Sequence, residues 1–115
     1  MLVDDDHITV SLLKKLLELD DFEVSVSPGG DGALEQVKET KPEIFVVDYH
    51  LVDSEGTEFV QEVRALAGYA DTPIIMTSGL DHTEDAIAAG ANEFLIKPFD
   101  PSNLIARLNA LLGTA

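Results

Sequence analysis

Short apolar runs alternate five times with longer amphipathic stretches along this chain of 115 residues. Residues 44–47 and 74–76 are apolar at every position. Fully apolar runs of this length are typical of parallel strands that helices cover on both faces. The runs therefore predict five strands, over residues 2–3, 23–27, 44–48, 74–78 and 93–96.

The stretches between the runs have helical periodicity. Ile8, Leu12, Leu16 and Leu19 share one face of a first helix over residues 7–19, and Asp6 precedes that helix as an N-cap. Four more helices are predicted: over residues 31–39, over residues 57–66, over about two turns before Gly90, and from Pro101 onward.

Two of these helices have recognisable start signals. Asp81, followed by Glu84, resembles a capping box, and Asp100 stands directly before Pro101, a residue favoured in the first turn.

Strand alternating with helix five times predicts an α/β fold. We expect a doubly wound, five-stranded parallel sheet with helices on both faces, forming a single domain over residues 1–115.

Composition excludes several classes of protein. The chain has no Cys, so disulfides and thiol nucleophiles are absent. Seven Lys and Arg residues against 22 Asp and Glu residues give a formal charge of -15, which argues against nucleic acid binding by this domain. No apolar run reaches the roughly 18 residues of a membrane span, so we expect a cytoplasmic protein without membrane contact.

Polar residues follow four of the predicted strands. The first strand leads into Asp4 and Asp5, the third ends in Asp48, the fourth in Ser78, and the fifth leads into Lys97. Ligands of such sheets bind at the carboxyl ends of the strands, so these side chains are candidates for one shared site. Each residue type alone has an ordinary surface or capping role, and only the joint placement argues for chemistry.

Converging carboxylates raise each other's cost of ionisation, so a cation must compensate them. Hard oxygen ligands without Cys favour Mg²⁺, with Mn²⁺ or Ca²⁺ able to substitute. Lys97 supplies a fixed positive charge, and the Ser78 hydroxyl with Lys97 suits the oxygens of a phosphoryl group. Asp48 is then the predicted nucleophile, and the product is an aspartyl phosphate.

Four segments resemble the receiver domain of two-component response regulators: residues 2–6, residues 45–50, residues 73–79, and residues 93–99 with their Lys-Pro pair. The resemblance implies a flavodoxin-like strand order, 2-1-3-4-5. It makes Asp4, Asp5, Asp48 and the backbone carbonyl of His50 the metal ligands and Asp48 the phosphoacceptor. His50 also has the plainer interpretation of an exposed loop histidine.

The resemblance implies a switch as well. Ser78, five residues after Pro73, takes the hydroxyl position in preference to Thr77, and Phe94 takes the aromatic position that rotates inward. Lys97 and Pro98 hold a cis peptide in family members.

The same resemblance names the partners. The phosphodonor is a sensor histidine kinase or a phosphotransfer protein, and the face of the fourth helix, fifth strand and fifth helix signals to a downstream effector. It also allows a homodimer on phosphorylation. Such a domain has no separate substrate turnover, so it is not an enzyme in the usual sense. A stand-alone receiver and one within a longer protein are both open.

Two features depart from the family pattern, and two other functions compete. Val52 stands where the family usually has proline, and Lys97 follows only 19 positions after Ser78, which shortens the fourth helix or its approach. One competing function is a phosphohydrolase of the haloacid dehalogenase type with Asp4 as nucleophile. The other is an interaction module that works without phosphorylation.

Overall fold

The computed structural model describes residues 1–30 and 32–113. Strands and helices alternate along these residues. The strands are β1 (Leu2–Val3), β2 (Val26–Ser27), β3 (Phe45–Asp48), β4 (Ile74–Ser78) and β5 (Glu93–Ile96). The helices are α1 (His7–Leu19), α2 (Ala33–Thr40), α3 (Gly56–Ala65), α4 (Thr83–Ala89) and α5 (Pro101–Leu112).

The strands form one parallel sheet in the order β2-β1-β3-β4-β5. This order confirms the predicted fold class. Because β1 pairs with both β2 and β3, the strand order reverses at β1, and the carboxyl ends of β1 and β3 are neighbours. In the register, Val3 pairs with Val47, and Asp48 pairs with Thr77. The loop after β1 therefore emerges beside the last residue of β3.

The sheet has a separate hydrophobic core on each face. One core packs α2, α3 and α4 against the sheet, with Phe45, Val47 and Met76 pointing toward them. The other core packs α1 and α5 against the opposite face, around Val46 and Ile75. Alternate residues of β3 and β4 thus enter opposite cores, as expected for strands covered on both sides.

The apolar face predicted for α1 is not the one that packs. Leu13 and Leu17 are buried, whereas Ile8 is 83% exposed, Leu12 53% and Leu19 82%. The helix has leucines around most of its circumference, so periodicity alone offers two apolar stripes. Packing against the sheet and α5 selects the stripe of Leu13 and Leu17.

Most helix ends follow the predicted chemistry. Asp6 caps α1 by accepting from the backbone N–H groups of Ile8 and Thr9, and Asp100 caps α5 by accepting from Ser102. The capping box predicted at Asp81 is wrong. The N-cap of α4 is His82, and Asp81, one residue before that cap, accepts from the backbone N–H and the hydroxyl of Thr83.

Other predicted boundaries differ by one to three residues. Strand β3 starts at residue 45 instead of 44, α2 ends at residue 40 instead of 39, and α3 ends at residue 65 instead of 66. Strand β2 is paired only over Val26–Ser27 instead of residues 23–27, and α3 starts at Gly56, one residue before its predicted start. The predicted first residue of α2, Asp31, lies outside the described residues. Every helix that the structure describes is too short or too polar to cross a bilayer.

Candidate functional site

Three loops at the carboxyl edge of the sheet bring two carboxylates and an ammonium group together. Asp4 directly follows β1, Asp48 ends β3, and Lys97 directly follows β5. Lys97 Nζ lies 2.9 Å from Asp4 Oδ2 and 3.4 Å from Asp48 Oδ1. Asp4 and Asp48 belong to the neighbouring strands β1 and β3, and the Lys97 side chain reaches past β4 to contact both acids.

Asp4 is the most enclosed acid of the group, with 9% of its surface exposed. Its Oδ1 accepts from the backbone N–H of Asp6 at 3.0 Å, and its Oδ2 accepts from Lys97 Nζ. Both oxygens of Asp4 thus have donors within the protein. Such a carboxylate is held in place, and it is a poorer nucleophile than one with a free oxygen.

A third carboxylate completes the cluster. Asp5 is exposed, and it offers an oxygen within 4.8 Å of ligand oxygens from both Asp4 and Asp48. Carboxylates thus outnumber the ammonium group three to one at this edge of the sheet. The sequence had placed these four side chains at one edge, and the structure brings them together.

The electrostatics of the cluster follow from this imbalance. Burial, followed by the charge of Asp4, raises the pKa of Asp48, and Lys97 only partly opposes the rise. Burial acts to lower the pKa of Lys97, but its hydrogen bond with Asp4 and the charges of Asp4 and Asp48 outweigh burial and raise it. Lys97 therefore stays a cation, and its single positive charge is shared between Asp4 and Asp48.

The donor set fits a hard divalent cation. Three carboxylates from two strands meet without a thiolate or imidazole in the group, and oxygen ligands of this kind are those that Mg²⁺ prefers. One ammonium group cannot neutralise three carboxylates, and burial together with the charge of Asp4 raises the pKa of Asp48. A bound divalent cation would lower the free-energy cost of ionising three neighbouring carboxylates.

The other predicted site residues lie nearby. Ser78 and Thr77 are both 2% exposed. The backbone carbonyl of Ser78 accepts from Lys97 N at 2.7 Å, and its Oγ accepts from Leu80 N at 3.2 Å. Thr77 is held differently, since its carbonyl accepts from the N–H of Tyr49 at 2.8 Å.

Phe94 and His50 flank this edge. Phe94 on β5 is half-buried, pairs with Met76 in the register and packs against the core beneath α3 and α4. His50 is exposed and forms an isolated bridge with Glu55 across the loop after β3. The Lys97–Pro98 peptide is cis. The roles proposed for Ser78, Phe94 and His50 stay predictions.

Sequence reasoning missed the residue that sets the loop after β3. A Cβ on Gly56 would lie 2.1 Å from the carbonyl oxygen of Asp48, and the Gly56 N–H donates to the Tyr49 carbonyl at 2.6 Å. Only glycine permits this approach. Gly56 was visible in the sequence, but the close approach arises from tertiary packing and leaves no periodic signal.

Sequence reasoning also missed the aromatic group next to Asp48. The ring of Tyr49 stacks on that of His82, and the His50 ring contacts both edge-on. These three residues come from two loops, so only the fold brings them together.

The chain matches the sequence model of the response regulator receiver domain over residues 1–109. It is 36% identical to the transcriptional regulatory protein PrrA of Mycobacterium leprae and 31% identical to the DNA-binding response regulator MtrA of Mycolicibacterium smegmatis. Each alignment covers 97% of this chain, but only 48% of PrrA and 49% of MtrA. The chain thus spans about half the length of the curated relatives it matches.

Solved structures agree with the family match. The chemotaxis response regulator CheY4 of Vibrio cholerae superposes with a TM-score of 0.89 at 27% identity, covering 96% of this chain and 94% of CheY4. The BeF3-activated receiver domain of Klebsiella pneumoniae RstA superposes with a TM-score of 0.83 at 30% identity, covering 96% of this chain and 95% of that domain.

Proposed function

Because the chain belongs to the response regulator receiver domain family, we propose that it is a phosphorylation switch whose phosphoacceptor is Asp48. The family match confirms the resemblance that the strand motifs indicated. Receiver domains are signalling domains of two-component systems. The observation that carries the assignment of Asp48 is its position between Lys97, at 3.4 Å, and the carboxylates of Asp4 and Asp5.

In the proposed reaction, a carboxylate oxygen of Asp48 attacks the phosphorus of a phosphohistidine. The new P–O bond forms as the P–N bond breaks, and the departing imidazole retains the electron pair and takes up a proton. No general base is needed, because an ionised carboxylate is already nucleophilic. The product is an aspartyl phosphate on Asp48 and a free histidine on the donor.

Lys97 and Ser78 suit the incoming phosphoryl group. Lys97 is ion-paired with Asp4 and lies within 3.4 Å of Asp48, so its ammonium can turn toward phosphoryl oxygens without leaving the site. The Ser78 hydroxyl accepts from Leu80 N and can donate its own proton to a phosphoryl oxygen. These contacts would offset the charge that develops in the transition state.

Asp4, Asp5, Asp48 and the His50 carbonyl are the residues that would hold Mg²⁺, for which Mn²⁺ or Ca²⁺ can substitute. When bound, the ion supplies positive charge to the oxygens of the transferring phosphoryl group. Asp4 is already fixed by Asp6 and Lys97. We propose that Asp4 orients the site and that Asp48 is the nucleophile.

The output follows from the same site. We propose that Ser78 moves toward the phosphoryl group and that Phe94 turns inward. These movements shift the equilibrium between two conformations of the face formed by α4, β5 and α5. The partners are then a sensor histidine kinase or phosphotransfer protein and a downstream effector, with a phosphorylation-dependent homodimer as one form of output. A cytoplasmic location and one domain over residues 1–115 belong to this proposal.

The competing functions have less support. A haloacid dehalogenase-type phosphohydrolase would use Asp4 as its nucleophile, but both Asp4 oxygens have donors in the protein. A module that works without phosphorylation would not need Asp5, Asp48 and Lys97 in one cluster. The comparisons with known proteins support neither alternative.

The proposal is tested by incubating the full chain with acetyl phosphate and MgCl₂ and measuring its intact mass. We expect the mass of one phosphoryl group to be added, and we expect the gain to disappear when EDTA replaces MgCl₂. Hydroxylamine should remove the group, since it cleaves acyl phosphates but not phosphoserine. A modification that forms equally in EDTA, or that resists hydroxylamine, would overturn the proposal.

A further inference from the structure

The residue after the proposed phosphoacceptor is bound firmly at its backbone. The Tyr49 N–H donates to the Thr77 carbonyl at 2.8 Å, and the Tyr49 carbonyl accepts from Gly56 N at 2.6 Å. Its side chain is 8% exposed. Tyr49 is thus held by β4 on one side and by the start of α3 on the other, and it is covalently joined to Asp48.

The ring of Tyr49 stacks on the residue that caps α4. The ring centroids of Tyr49 and His82 are 3.8 Å apart and their planes differ by 6°. The His50 ring meets the Tyr49 ring edge-on at 4.9 Å. Aromatic pairs contribute about 0.5–1.5 kcal/mol beyond the area they bury.

Stacking is the main restraint on the His82 ring. Its Nε2 is buried without a hydrogen-bond partner among the described residues, and its side chain makes no capping bond to α4. The His82 carbonyl accepts from Ala86 N at 2.9 Å, which is the first hydrogen bond of the helix. The residue whose ring stacks on Tyr49 is therefore the same residue whose carbonyl accepts the first hydrogen bond of α4, and the stack restrains the N-terminal end of the helix.

A second contact ties Tyr49 to α4. The Tyr49 hydroxyl donates to Asp85 Oδ2 through a long hydrogen bond of 3.4 Å. Both contacts link Tyr49 to the first turn of α4.

The C-terminal end of α4 is held by a residue of α3. Arg64 Nε donates to the carbonyl of Gly90, the C-cap, at 3.0 Å. The same guanidinium donates to the carbonyls of Tyr69 and Thr72 and to Asn92 Oδ1. One rigid, multiply bonded cation thus anchors the C-terminal end of α4 to two loops.

The two ends of α4 are therefore restrained unequally. The C-terminal end has hydrogen bonds from a guanidinium, and the N-terminal end has a ring stack on the residue next to Asp48. We propose that His82 is a positioning residue: a displacement of the Asp48–Tyr49 peptide on phosphorylation passes through the Tyr49–His82 stack to the start of α4, which pivots about the end held by Arg64. This inference rests on the proposed phosphorylation of Asp48.

The test measures amide hydrogen exchange by mass spectrometry on the full chain, with and without acetyl phosphate and MgCl₂. In the wild type, we expect phosphorylation to change exchange more in a peptide spanning residues 80–86 than in one spanning residues 88–92. In the His82→Ala variant, the change over residues 80–86 should fall by at least half. The intact mass of each sample reports separately whether Asp48 was phosphorylated.

Three variants separate coupling from simple loss of structure. His82→Phe retains an aromatic face and should keep the wild-type response. His82→Leu fills a similar space without an aromatic face. It takes the place of His82→Ala in the test if the alanine variant fails to fold. Thr83→Ala removes a hydroxyl of the same turn that donates to Asp81 and does not contact the ring stack, and it should respond as the wild type does.

The outcomes distinguish the two proposals. If the wild type gains no phosphoryl mass, the proposed function fails first, and the positioning role of His82 fails with it. If both His82→Ala and His82→Leu are phosphorylated and keep the full exchange response, the positioning role is wrong while the phosphoacceptor role stands. If His82→Phe loses the response as fully as His82→Ala, stacking is not the cause and the inference is overturned.

Discussion

At the scale of single residues, Gly56 determines how closely α3 approaches the end of β3. Its Cα faces the carbonyl of Asp48, so an added Cβ would lie 2.1 Å from a backbone oxygen that cannot swing away. The position of the Asp48 carboxylate relative to Lys97 depends on this close approach.

We predict that Gly56→Ala destabilises the protein by about 2–3 kcal/mol or more, because the backbone of β3 or α3 must shift to admit the methyl group. Urea unfolding monitored by circular dichroism measures the change. Gly79→Ala is the matched control, since a Cβ there meets nothing within 4 Å, and it should change stability by less than about 0.5 kcal/mol. Equal effects at the two glycines would contradict this account of Gly56.

The second residue-scale prediction concerns the charge on Asp48. Its pKa is raised by burial and by Asp4, so the folded protein holds that proton more tightly than the unfolded chain does. Stability therefore falls as pH rises from the unfolded pKa of about 3.9 through the higher folded value. At neutral pH without divalent cations, ionised Asp48 destabilises the fold, so Asp48→Asn should raise Tm by a few degrees.

That gain should shrink as the pH approaches about 4, where Asp48 is increasingly protonated in both states. Scanning calorimetry at several pH values in EDTA measures it. Glu62→Gln removes one exposed charge from α3 and serves as the control, with an expected change below about 0.5 kcal/mol. A lower Tm for Asp48→Asn at pH 7 would show that the Lys97 ion pair outweighs the burial of the charge.

At the scale of elements, the short helix α4 depends on Arg64. The guanidinium makes four hydrogen bonds to groups in the loops before β4 and β5, and burial lowers the pKa of Arg64. Removing it would leave several carbonyls and the Asn92 oxygen without their donor. Lysine could restore the charge but not the planar fork.

We predict that Arg64→Lys costs about 2 kcal/mol or more, since bonds to charged donors contribute about 1.5–3 kcal/mol each and unpaired acceptors add a desolvation cost. Arg107→Lys is the control, because Arg107 is 45% exposed and pairs only with Glu93 in the described structure, and it should cost less than about 1 kcal/mol. Chemical denaturation compares the two. If Arg64→Lys is as mild as Arg107→Lys, the anchoring role is wrong.

The elements also show what periodicity can and cannot predict. Helix α3 has one apolar stripe, and its Phe59, Val60 and Val63 are all buried. Helix α1 has more than one apolar stripe, so the sequence allowed the wrong face. Packing against the sheet and α5 selects Leu13 and Leu17.

The N-caps predicted from Asp residues were also correct for only some of the helices. Asp6 and Asp100 cap their helices, but Asp81 bonds Thr83 one residue too early to cap α4, because His82 takes the cap position. The choice depends on where tertiary contacts fix the chain, and sequence alone does not contain that information.

At the scale of the whole molecule, the strand order followed from five alternating elements together with the family resemblance. The acidic cluster followed from the rule that the carboxyl ends of parallel strands share an edge. The contacts that the sequence did not reveal, those of Gly56, Arg64 and the Tyr49–His82 stack, join residues from separate loops. They depend on how the helices sit on the sheet.

A formal charge of -15 also acts on the whole molecule. Self-repulsion destabilises a compact state, so NaCl raised from about 20 mM to about 500 mM should raise Tm through screening. About 5 mM MgCl₂ should raise Tm more than NaCl of equal ionic strength, because the proposed site at the acidic cluster exists only in the folded chain. Differential scanning fluorimetry measures both effects.

Variants at the cluster provide the control for this comparison. Asp5→Asn and Asp48→Asn should lose most of the Mg²⁺-specific increase and keep the NaCl effect, because each removes one carboxylate ligand and leaves most of the net charge. If NaCl of equal ionic strength reproduces the whole Mg²⁺ effect in the wild type, the cluster does not bind the ion specifically.

The most direct test of the central claim locates the phosphoryl group on the chain. After treatment with acetyl phosphate and MgCl₂, borohydride reduction converts an aspartyl phosphate into homoserine, which peptide sequencing by mass spectrometry can place. The geometry of Asp48 beside Lys97, Asp4 and Asp5 predicts homoserine at position 48 in the wild type and none in Asp48→Asn. Homoserine at position 4 or 5, or equal labelling of Asp48→Asn, would contradict the account.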